Sequence, residues 1–258
     1  MASQDTDGDD GDDGDDGADG ADGRVDRGGA VDGADAGWSA LHGDIRPSPV
    51  VRGWLRMVRV LASGPISHVP PDVLSAAGVA FLVGAWALAV VGPPGSALPA
   101  VTAFLVVLAG VADGLDGAVA LATGRARPLG AVLDAVADRL GDLLLAAVLV
   151  ALGAPVGWAV GVAAATFTHE YARARAQSVG MPGVGAVTVA ERPTRLIVVA
   201  LPAVGAAVSP AGVPLVGWTW GTTFAVTWAA LATVGLVQLA HGVVRSMPPR
   251  FPPDRTDR

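Results

Sequence analysis

Long apolar stretches alternate with short polar connections over most of the chain. Each stretch is long enough to cross the ~30 Å hydrocarbon core of a bilayer as a helix that rises ~1.5 Å per residue. The six stretches cover roughly residues 72–91, 97–122, 130–153, 155–179, 190–208 and 216–244. This pattern predicts an all-α polytopic membrane protein with six transmembrane helices.

A shorter amphipathic segment precedes the first apolar stretch. Residues 50–62 combine Trp54 and other apolar side chains with cations at spacings of four and three residues, namely Arg52, Arg56 and Arg59. This pattern is typical of a short helix in the membrane interface, with its cations near anionic headgroups; a polar linker is the alternative. Pro70 and Pro71 follow, and Asp72 is placed to cap the first spanning helix.

Charge divides the connections between the apolar stretches into two groups. The connections around residues 92–96, 153–155 and 209–215 carry no charged residue. The basic connections contain Arg52 to Arg59, Arg125 and Arg127, Arg173 to Arg195, and Arg245 onward. The positive-inside rule therefore predicts that both termini and the basic loops are cytoplasmic. We expect a multi-pass protein of the inner (plasma) membrane.

Composition separates the membrane domain from two tails. Hydrophobic residues make up 52% of the chain, which is high for a soluble domain. Residues 1–45 hold fourteen Asp against two Arg in a Gly-rich repeat, and are predicted to be a disordered acidic tail. Residues 46–248 form the predicted membrane domain, and residues 249–258 a second disordered tail. The chain has no Cys, so disulfides and thiolate metal sites are excluded.

The membrane domain places several charged side chains at one depth. Counted from the uncharged end of each helix, Ser75, Asp113, Asp138 and Glu170 all lie about 22–24 Å along the helix axis. Arg195 is at a similar or slightly greater depth. Ionisable groups in spanning helices are costly and are candidates for function. We therefore expect a polar cavity near the cytoplasmic surface, which would also be the active site.

Four aspartates in this layer form two helical pairs. Asp113 and Asp116 are three residues apart, and Asp134 and Asp138 four apart, so each pair faces one way. Carboxylates this close would repel one another. A divalent cation removes the conflict, and an all-oxygen ligand set suits Mg²⁺ or Mn²⁺. Gly117, directly after the second Asp, leaves the helix surface bare for a flat ligand.

The stretch from Asp113 to Asp138 resembles the signature of the CDP-alcohol phosphatidyltransferase family. The family pattern is D-x-x-D-G-x-x-A-R, eight residues, then G-x-x-x-D-x-x-x-D. The chain matches it at Asp113, Asp116, Gly117, Ala120, Gly130, Asp134 and Asp138. The resemblance covers roughly residues 65–245. The segments YARARAQSVG and ERPTRL are similar to those of actinobacterial phosphatidylinositol phosphate synthases, so 46–248 is expected to be a domain of this family.

The resemblance implies transfer of a phosphatidyl group from CDP-diacylglycerol to a hydroxyl of a small alcohol, with release of CMP. By analogy, Asp113, Asp116, Asp134 and Asp138 would bind metal, and Asp138 would also be the general base. Asp72, Ser75 and Gly117 would line the site of the CDP-lipid. Relatives are often dimers, and the apolar faces permit a homodimer. No nucleic-acid partner is expected.

One signature position departs from the family pattern. Leu121 occupies the position of the Arg that helps to hold the CDP moiety in relatives. Loss of a cation beside a diphosphate removes charge-assisted hydrogen bonds worth on the order of 1.5–3 kcal/mol each. Arg125 and Arg127 follow in the next loop, and our hypothesis is that Arg127 compensates for the missing Arg.

The acceptor alcohol is predicted to be phosphorylated, as inositol phosphate is. Arg173, Arg192 and Arg195 cluster at the cytoplasmic ends of the fourth and fifth apolar stretches and are the candidates for binding its phosphate. Positive-inside topology alone would also place arginines there. His169 and Glu170 are candidates for polar lining or arginine partners, and Asp142 continues the stripe formed by Asp134 and Asp138.

Three alternatives remain open from the sequence. A Mg²⁺-dependent membrane prenyltransferase also uses Asp-rich helices, but its two motifs are expected farther apart than Asp116 and Asp134. A cation-coupled or proton-coupled transporter favours charges at the midplane and broken helices, whereas this polar layer is near one face. A catalytically degenerate membrane protein of the same fold is compatible with Leu121.

Overall fold

The computed structural model describes residues 56–58, 60–183 and 186–247, and every regular element in those ranges is a helix. A short 3-10 helix at Pro65–His68 precedes six long helices. Their bounds are α1 Pro71–Val91, α2 Leu98–Ala122, α3 Pro128–Ala151, α4 Val156–Ser178, α5 Arg192–Val208 and α6 Trp220–Ser246. The predicted all-α fold is confirmed for the described part of the chain.

Part of the predicted N-terminal interfacial helix can be followed. Residues 56–58 and 60–62 are helical, and Val58 and Ala62 are buried against Leu115 and Val119 of α2. This segment therefore packs beside the C-terminal end of α2. The predictions for both tails, for Arg52 and Trp54, and for Arg59 fall outside the described residues.

Three of the six helices are long and apolar enough to span a membrane by length and composition: α1, α2 and α6. The other three also coincide with predicted apolar stretches. However, α5 has only 17 residues, and α3 and α4 carry the charged side chains of the polar layer. The described helices therefore include three candidate membrane spans.

The observed helix ends correct two sequence predictions. Asp72 does not cap α1: the N-cap is Pro70, and the helix begins at Pro71, whose fixed φ suits the first helical position. The sixth apolar stretch was predicted from residue 216, but α6 begins four residues later. The Thr219 side chain accepts a hydrogen bond from the backbone N–H of Thr222 at 3.1 Å and fixes that start.

The six helices share one buried apolar cluster. Each helix contributes to it, for example through Ala85, Val106, Leu149, Val162, Val199 and Trp228. Many of the buried residues are alanines, which let helix backbones approach closely. Close packing of this kind holds helices together in a membrane, because lipid tails are as apolar as the side chains. The charged residues are confined to one end of the bundle.

Chain connections bring the signature segments together at that end. A connection of five residues, 123–127, joins the end of α2 to the start of α3. Both helices pack against α1 and α5, and α3 also packs against α4. One region, which contains the candidate site, is thus surrounded by the C-terminal ends of α2 and α4 and by the N-terminal ends of α1, α3 and α5.

Candidate active site

Three of the four predicted metal ligands form a compact group, called here the carboxylate cluster: Asp113 on α2 and Asp134 and Asp138 on α3. One carboxylate oxygen from each lies within 4.8 Å of the others. The side chains converge because the end of α2 and the start of α3 are adjacent, and because Asp134 and Asp138 are one helical turn apart. All three are partly buried. The arrangement has the ligand type that Mg²⁺ and Mn²⁺ prefer.

Asp116 lies beside the carboxylate cluster and is held by hydrogen bonds. The Ser75 hydroxyl donates to Asp116 Oδ2 at 2.5 Å, and the backbone N–H of Gly117 donates to Oδ1 at 2.6 Å. Asp116 is only 5% exposed. Ser75 thereby links α1 to α2.

The side chain of Arg192 reaches from α5 into the carboxylate cluster. Its Nε lies 3.0 Å from Asp113 Oδ2, and its Nη1 lies 2.5 Å from Asp138 Oδ1. The contact with Oδ1 is an ion pair without hydrogen-bond geometry, because Nη1 donates instead to the backbone carbonyl of Asp138 at 3.2 Å. Asp138 Oδ1 is therefore a buried oxygen that accepts no hydrogen bond. Because Asp138 Oδ1 is paired with a cation and not with a hydrogen-bond donor, and because two further carboxylates converge on it, the residues present fit a divalent cation.

A cavity of about 560 Å³ opens beside the cluster. Its lining includes Asp116 and Asp134, together with all four residues predicted to contact the CDP-lipid: Asp72, Ser75, Gly117 and Arg127. A Cβ atom added to Gly117 would meet no other atom within 4 Å, so the missing side chain leaves part of the cavity open. Leu121 also lines this cavity and is 76% exposed.

Asp72 and Arg127 form an ion pair at the edge of this cavity. Asp72 is in the first turn of α1, and Arg127 is the residue before α3, so the pair joins two walls. The two side chains are 38% and 52% exposed. Pairs with this exposure contribute only about 0–1 kcal/mol. Either partner can therefore turn to a ligand at little cost.

Two of the three arginines predicted to bind the acceptor phosphate are engaged in ion pairs away from the carboxylate cluster. Arg195 is 2% exposed, and its guanidinium donates to Asp142, to Glu170 Oε1 at 2.5 Å, and to the backbone carbonyl of Ala190. Arg173 donates to both carboxylate oxygens of Glu191, at 2.6 and 3.1 Å. Of the three, only Arg192 contacts the carboxylate cluster.

Arg139 is a component of the site that the sequence interpretation missed. Its Nη2 lies 3.0 Å from Asp142 Oδ2 and 3.8 Å from Asp138 Oδ2, and its guanidinium stacks over the ring of Phe167 at 6.0 Å. It also lies 3.8 Å from Glu170. The available signal was its position directly after Asp138 and three residues before Asp142, which places it beside the acidic stripe of α3.

The loop before α5 is tied to α4 through Glu191. Glu191 accepts hydrogen bonds from Arg173 and from the backbone N–H of Thr188, the latter at 2.9 Å. The Thr188 hydroxyl also lies 3.2 Å from His169 Nε2. Burial would raise the pKa of Glu191, but the hydrogen bonds from Arg173 and Thr188 outweigh it and hold that pKa below its usual range. These contacts position the start of α5, and with it Arg192.

Comparison with known families gives one match over most of the helical bundle. The sequence model of the family described as CDP-alcohol phosphatidyltransferase matches residues 68–236. This range includes the carboxylate cluster, the cavity lining from Asp72 onward, and Arg192. A comparison with proteins of curated function finds no match by sequence.

Solved structures similar to this chain include phosphatidylinositol phosphate synthase from Mycobacterium tuberculosis. Its structure with CDP-DAG bound is 28% identical, with a TM-score of 0.56, and the match covers 79% of this chain and 98% of that one. Its structure in complex with manganese and citrate is 27% identical, with a TM-score of 0.57, and covers 81% and 91% of the two chains.

Proposed function

Because the chain belongs to the CDP-alcohol phosphatidyltransferase family, we propose that it transfers a phosphatidyl group from CDP-diacylglycerol to a small phosphorylated alcohol. The hydroxyl oxygen of the acceptor would form a bond to the phosphorus on the lipid side. The bond between that phosphorus and the bridging oxygen would break, and its electrons would leave with CMP. Inositol phosphate is the acceptor that we put first, because the similar solved structures are of a phosphatidylinositol phosphate synthase.

The observation that carries this proposal is the position of the carboxylate cluster beside a nucleotide-sized cavity. Asp134 belongs to the cluster and also lines the cavity. A diphosphate that enters the cavity would therefore reach the ligands of a divalent cation. Neither a prenyltransferase nor a transporter would be expected to combine this carboxylate cluster and cavity with the family signature.

A divalent cation, Mg²⁺ or Mn²⁺, is the proposed cofactor. Asp113, Asp134 and Asp138 would hold it, and Asp116 would complete the set with its carboxylate still oriented by Ser75 and Gly117. The bound cation would neutralise the diphosphate and the negative charge that develops on the departing CMP. The manganese complex of the mycobacterial relative supports this assignment.

The CDP moiety is proposed to lie in the cavity. Gly117 leaves room for it, and Asp72, Ser75 and Arg127 supply polar contacts along the walls. Leu121 presents an apolar side chain where the family pattern has a cation. Arg127 is the proposed replacement, because its ion pair with Asp72 is half exposed and weak. The relative with CDP-DAG bound supports the choice of donor.

Of the three arginines predicted to bind the acceptor phosphate, Arg192 is the one that we place first. It contacts the carboxylate cluster, which is where the acceptor must approach the donor. Arg173 and Arg195 would reach a phosphate only after release of Glu191 or of Asp142 and Glu170. We therefore propose that Arg173 and Arg195 hold the wall of the site behind Arg192 and add positive electrostatic potential there.

Asp138 is the proposed general base. It would accept the proton of the acceptor hydroxyl as the oxygen attacks phosphorus. Its Oδ1 accepts no hydrogen bond within the described part of the chain, and it is buried beside Arg192. That oxygen is paired with the Arg192 guanidinium at 2.5 Å, and it would accept the proton once the guanidinium turns to the acceptor phosphate.

The proposed topology has six spans, with both termini and the active site in the cytoplasm and the protein in the inner (plasma) membrane. The three apolar helices support a membrane location. The basic loops at the charged end of the bundle support the orientation. We also propose that the protein forms a homodimer.

The test is release of CMP by the purified full-length chain. The protein is incubated with CDP-diacylglycerol and Mg²⁺, and inositol phosphate, glycerol phosphate and serine are compared as acceptors. We expect release with inositol phosphate, and loss of release with EDTA. Release with another acceptor would change the acceptor assignment, whereas no release with any acceptor would favour a catalytically degenerate protein.

A further inference from the structure

The guanidinium of Arg192 occupies the position of a counterion within the carboxylate cluster. It contacts Asp113 through Nε and Asp138 through Nη1, and these two aspartates are on different helices. The Arg192 side chain is only 16% exposed. It is therefore enclosed by the site instead of extending from its surface.

The charge of the cluster explains this position. Asp113, Asp134 and Asp138 would repel one another at the observed separation if nothing neutralised them. Arg192 supplies a positive charge between two of the three. Arg139 lies farther away, at 3.8 Å from Asp138 Oδ2, and contacts Asp142 more closely. Arg192 is therefore the principal cation of the cluster among the described residues.

The packing around Arg192 leaves specific room for its guanidinium. Gly141 lies on α3, one turn after Asp138. A Cβ atom added at Gly141 would be 3.2 Å from Arg192 Nη2 and 3.2 Å from a methyl group of Leu82. The absence of a side chain at Gly141 thus lets the guanidinium lie against α3.

A carboxylate oxygen of the cluster cannot pair with Arg192 and coordinate a divalent cation at the same time. Asp138 Oδ1 is 2.5 Å from the guanidinium, and Asp113 Oδ2 is 3.0 Å from it. We infer that Arg192 is a built-in counterion that competes with the divalent cation for Asp113 and Asp138 and withdraws when the cation binds. This inference rests on the proposed function, which assigns the cation to these aspartates.

Withdrawal of Arg192 would couple two binding events. While it is paired, its guanidinium is neutralised by carboxylates and offers little to a phosphate. Once released, it would be a free cation beside the cavity, where the acceptor phosphate is proposed to bind. Because coupling between ligands is reciprocal, the cation would favour the acceptor phosphate and the phosphate would favour the cation. Arg195 would not respond in this way, because Asp142 and Glu170 lie outside the carboxylate cluster.

Binding of Mn²⁺ to the purified full-length protein, without lipid or acceptor, tests the inference. Free Mn²⁺ is measured by electron paramagnetic resonance for the wild type and for the uncharged variants Arg192→Gln and Arg192→Met. Removal of the competing charge is expected to tighten Mn²⁺ binding about tenfold in both variants, since charge pairs at this distance and partial burial contribute on the order of a kcal/mol or more. Arg192→Lys keeps the charge and is expected to bind within about threefold of the wild type.

Arg127→Gln is the matched control, because it also removes one positive charge near the cavity but contacts Asp72 instead of the cluster. It is expected to change Mn²⁺ affinity less than the Arg192 variants. The melting temperature in EDTA provides a second measurement. The uncharged Arg192 variants should melt at a lower temperature than the wild type without cation, and show a larger increase on addition of Mn²⁺.

The outcomes separate the inference from the proposed function. Unchanged or weaker Mn²⁺ binding by both uncharged variants, with tight binding by the wild type, would overturn the counterion role and leave the metal site intact. If neither the wild type nor any variant binds Mn²⁺, the proposed function fails and the inference fails with it. An equal gain in affinity from Arg127→Gln would also overturn it, because the effect would then be a general one of net charge.

Discussion

The hydroxyl of Ser75 on α1 donates a hydrogen bond to Asp116 Oδ2 on α2 at 2.5 Å. This contact joins two walls of the cavity that we propose for CDP-diacylglycerol. It also fixes the carboxylate of Asp116, whose other oxygen is bonded to the backbone N–H of Gly117. Ser75 thus controls the orientation of an aspartate that we propose as a metal ligand.

Replacement of Ser75 by Ala should therefore reduce the transferase rate by about tenfold to a hundredfold. Loss of one hydrogen bond to a charged group costs on the order of 1.5–3 kcal/mol, and here it would free Asp116 to turn. CMP release at saturating CDP-diacylglycerol gives the rate. Ser96→Ala is a suitable control, because Ser96 lies in the connection between α1 and α2 at the opposite end of the bundle. Equal rates for Ser75→Ala and the wild type would count against this role.

Replacement of Arg127 by Ala should weaken binding of CDP-diacylglycerol about tenfold or more. A guanidinium that contacts a diphosphate contributes on the order of 1.5–3 kcal/mol per charge-assisted hydrogen bond. The measurement is equilibrium binding of radiolabelled donor to the purified protein. Arg125→Ala is the comparison: Arg125 also lines the cavity, but it donates to the backbone carbonyl of Ser67 at 3.4 Å. Unchanged donor affinity in Arg127→Ala would show that Arg127 does not compensate for Leu121.

Replacement of Leu121 by Arg should strengthen donor binding by a similar factor. Leu121 is 76% exposed and lines the cavity, so a longer side chain can be accommodated without displacing the core. The new cation would stand where the family pattern has its Arg. Leu121→Gln is the matched variant, since it lengthens and polarises the side chain without adding charge. If both variants bind the donor equally, charge at this position is not what limits affinity.

The sequence was sufficient to predict the helices and the convergence of three aspartates. Six apolar stretches predicted helix positions to within four residues at every end, because burial in lipid requires a continuous apolar segment. Asp113, Asp134 and Asp138 were expected together, with Asp116, because helical spacing pairs them and a short connection joins the two helices. Local spacing and the family pattern were both informative there.

The partners of the arginines could not be predicted in the same way. Arg195 pairs with Asp142, 53 residues away in sequence, and with Glu170, 25 residues away. Such pairs depend on how α3, α4 and α5 rotate against one another, which periodicity within one helix does not determine. Positive-inside arginines and phosphate-binding arginines also have the same sequence pattern. The position of Arg192 between Asp113 and Asp138 became visible only with the packing of α5.

Replacement of Glu191 by Gln should destabilise the protein and reduce its sensitivity to acid. The pKa of Glu191 is below its usual range in the folded protein, so the unfolded chain binds its proton at a higher pH than the folded one does. This carboxylate therefore adds stability above its unfolded pKa of about 4.3, and the contribution is lost as pH falls through the lower folded value. Melting temperatures measured between about pH 3 and pH 7 should decrease less steeply in the variant than in the wild type.

The size of the Glu191 effect follows from its contacts. Arg173 donates to both of its carboxylate oxygens and would be left partly unpaired in Glu191→Gln. A loss of about 1–3 kcal/mol is expected near neutral pH. Asp72→Asn is the control, because it alters a half-exposed ion pair elsewhere in the site. If the slope of stability with pH is the same in Glu191→Gln and the wild type, another group is responsible for the acid sensitivity.

Replacement of Asp138 by Asn should abolish phosphatidyl transfer while donor binding remains largely intact. An amide oxygen can still lie near the cluster, but it cannot accept the proton of the acceptor hydroxyl, and general-base catalysis typically contributes 10²–10⁴-fold. The donor is expected to bind mainly through the cavity walls, whose residues do not include Asp138. Rates come from CMP release, and donor affinity comes from binding of radiolabelled CDP-diacylglycerol with Mg²⁺ present.

Asp134→Asn is the informative comparison for Asp138→Asn, because Asp134 lines the cavity as well as joining the cluster, and its loss should weaken donor binding too. Loss of donor binding in Asp138→Asn to the same extent would identify Asp138 as chiefly a metal ligand, since a residue needed only for proton transfer would leave binding unchanged.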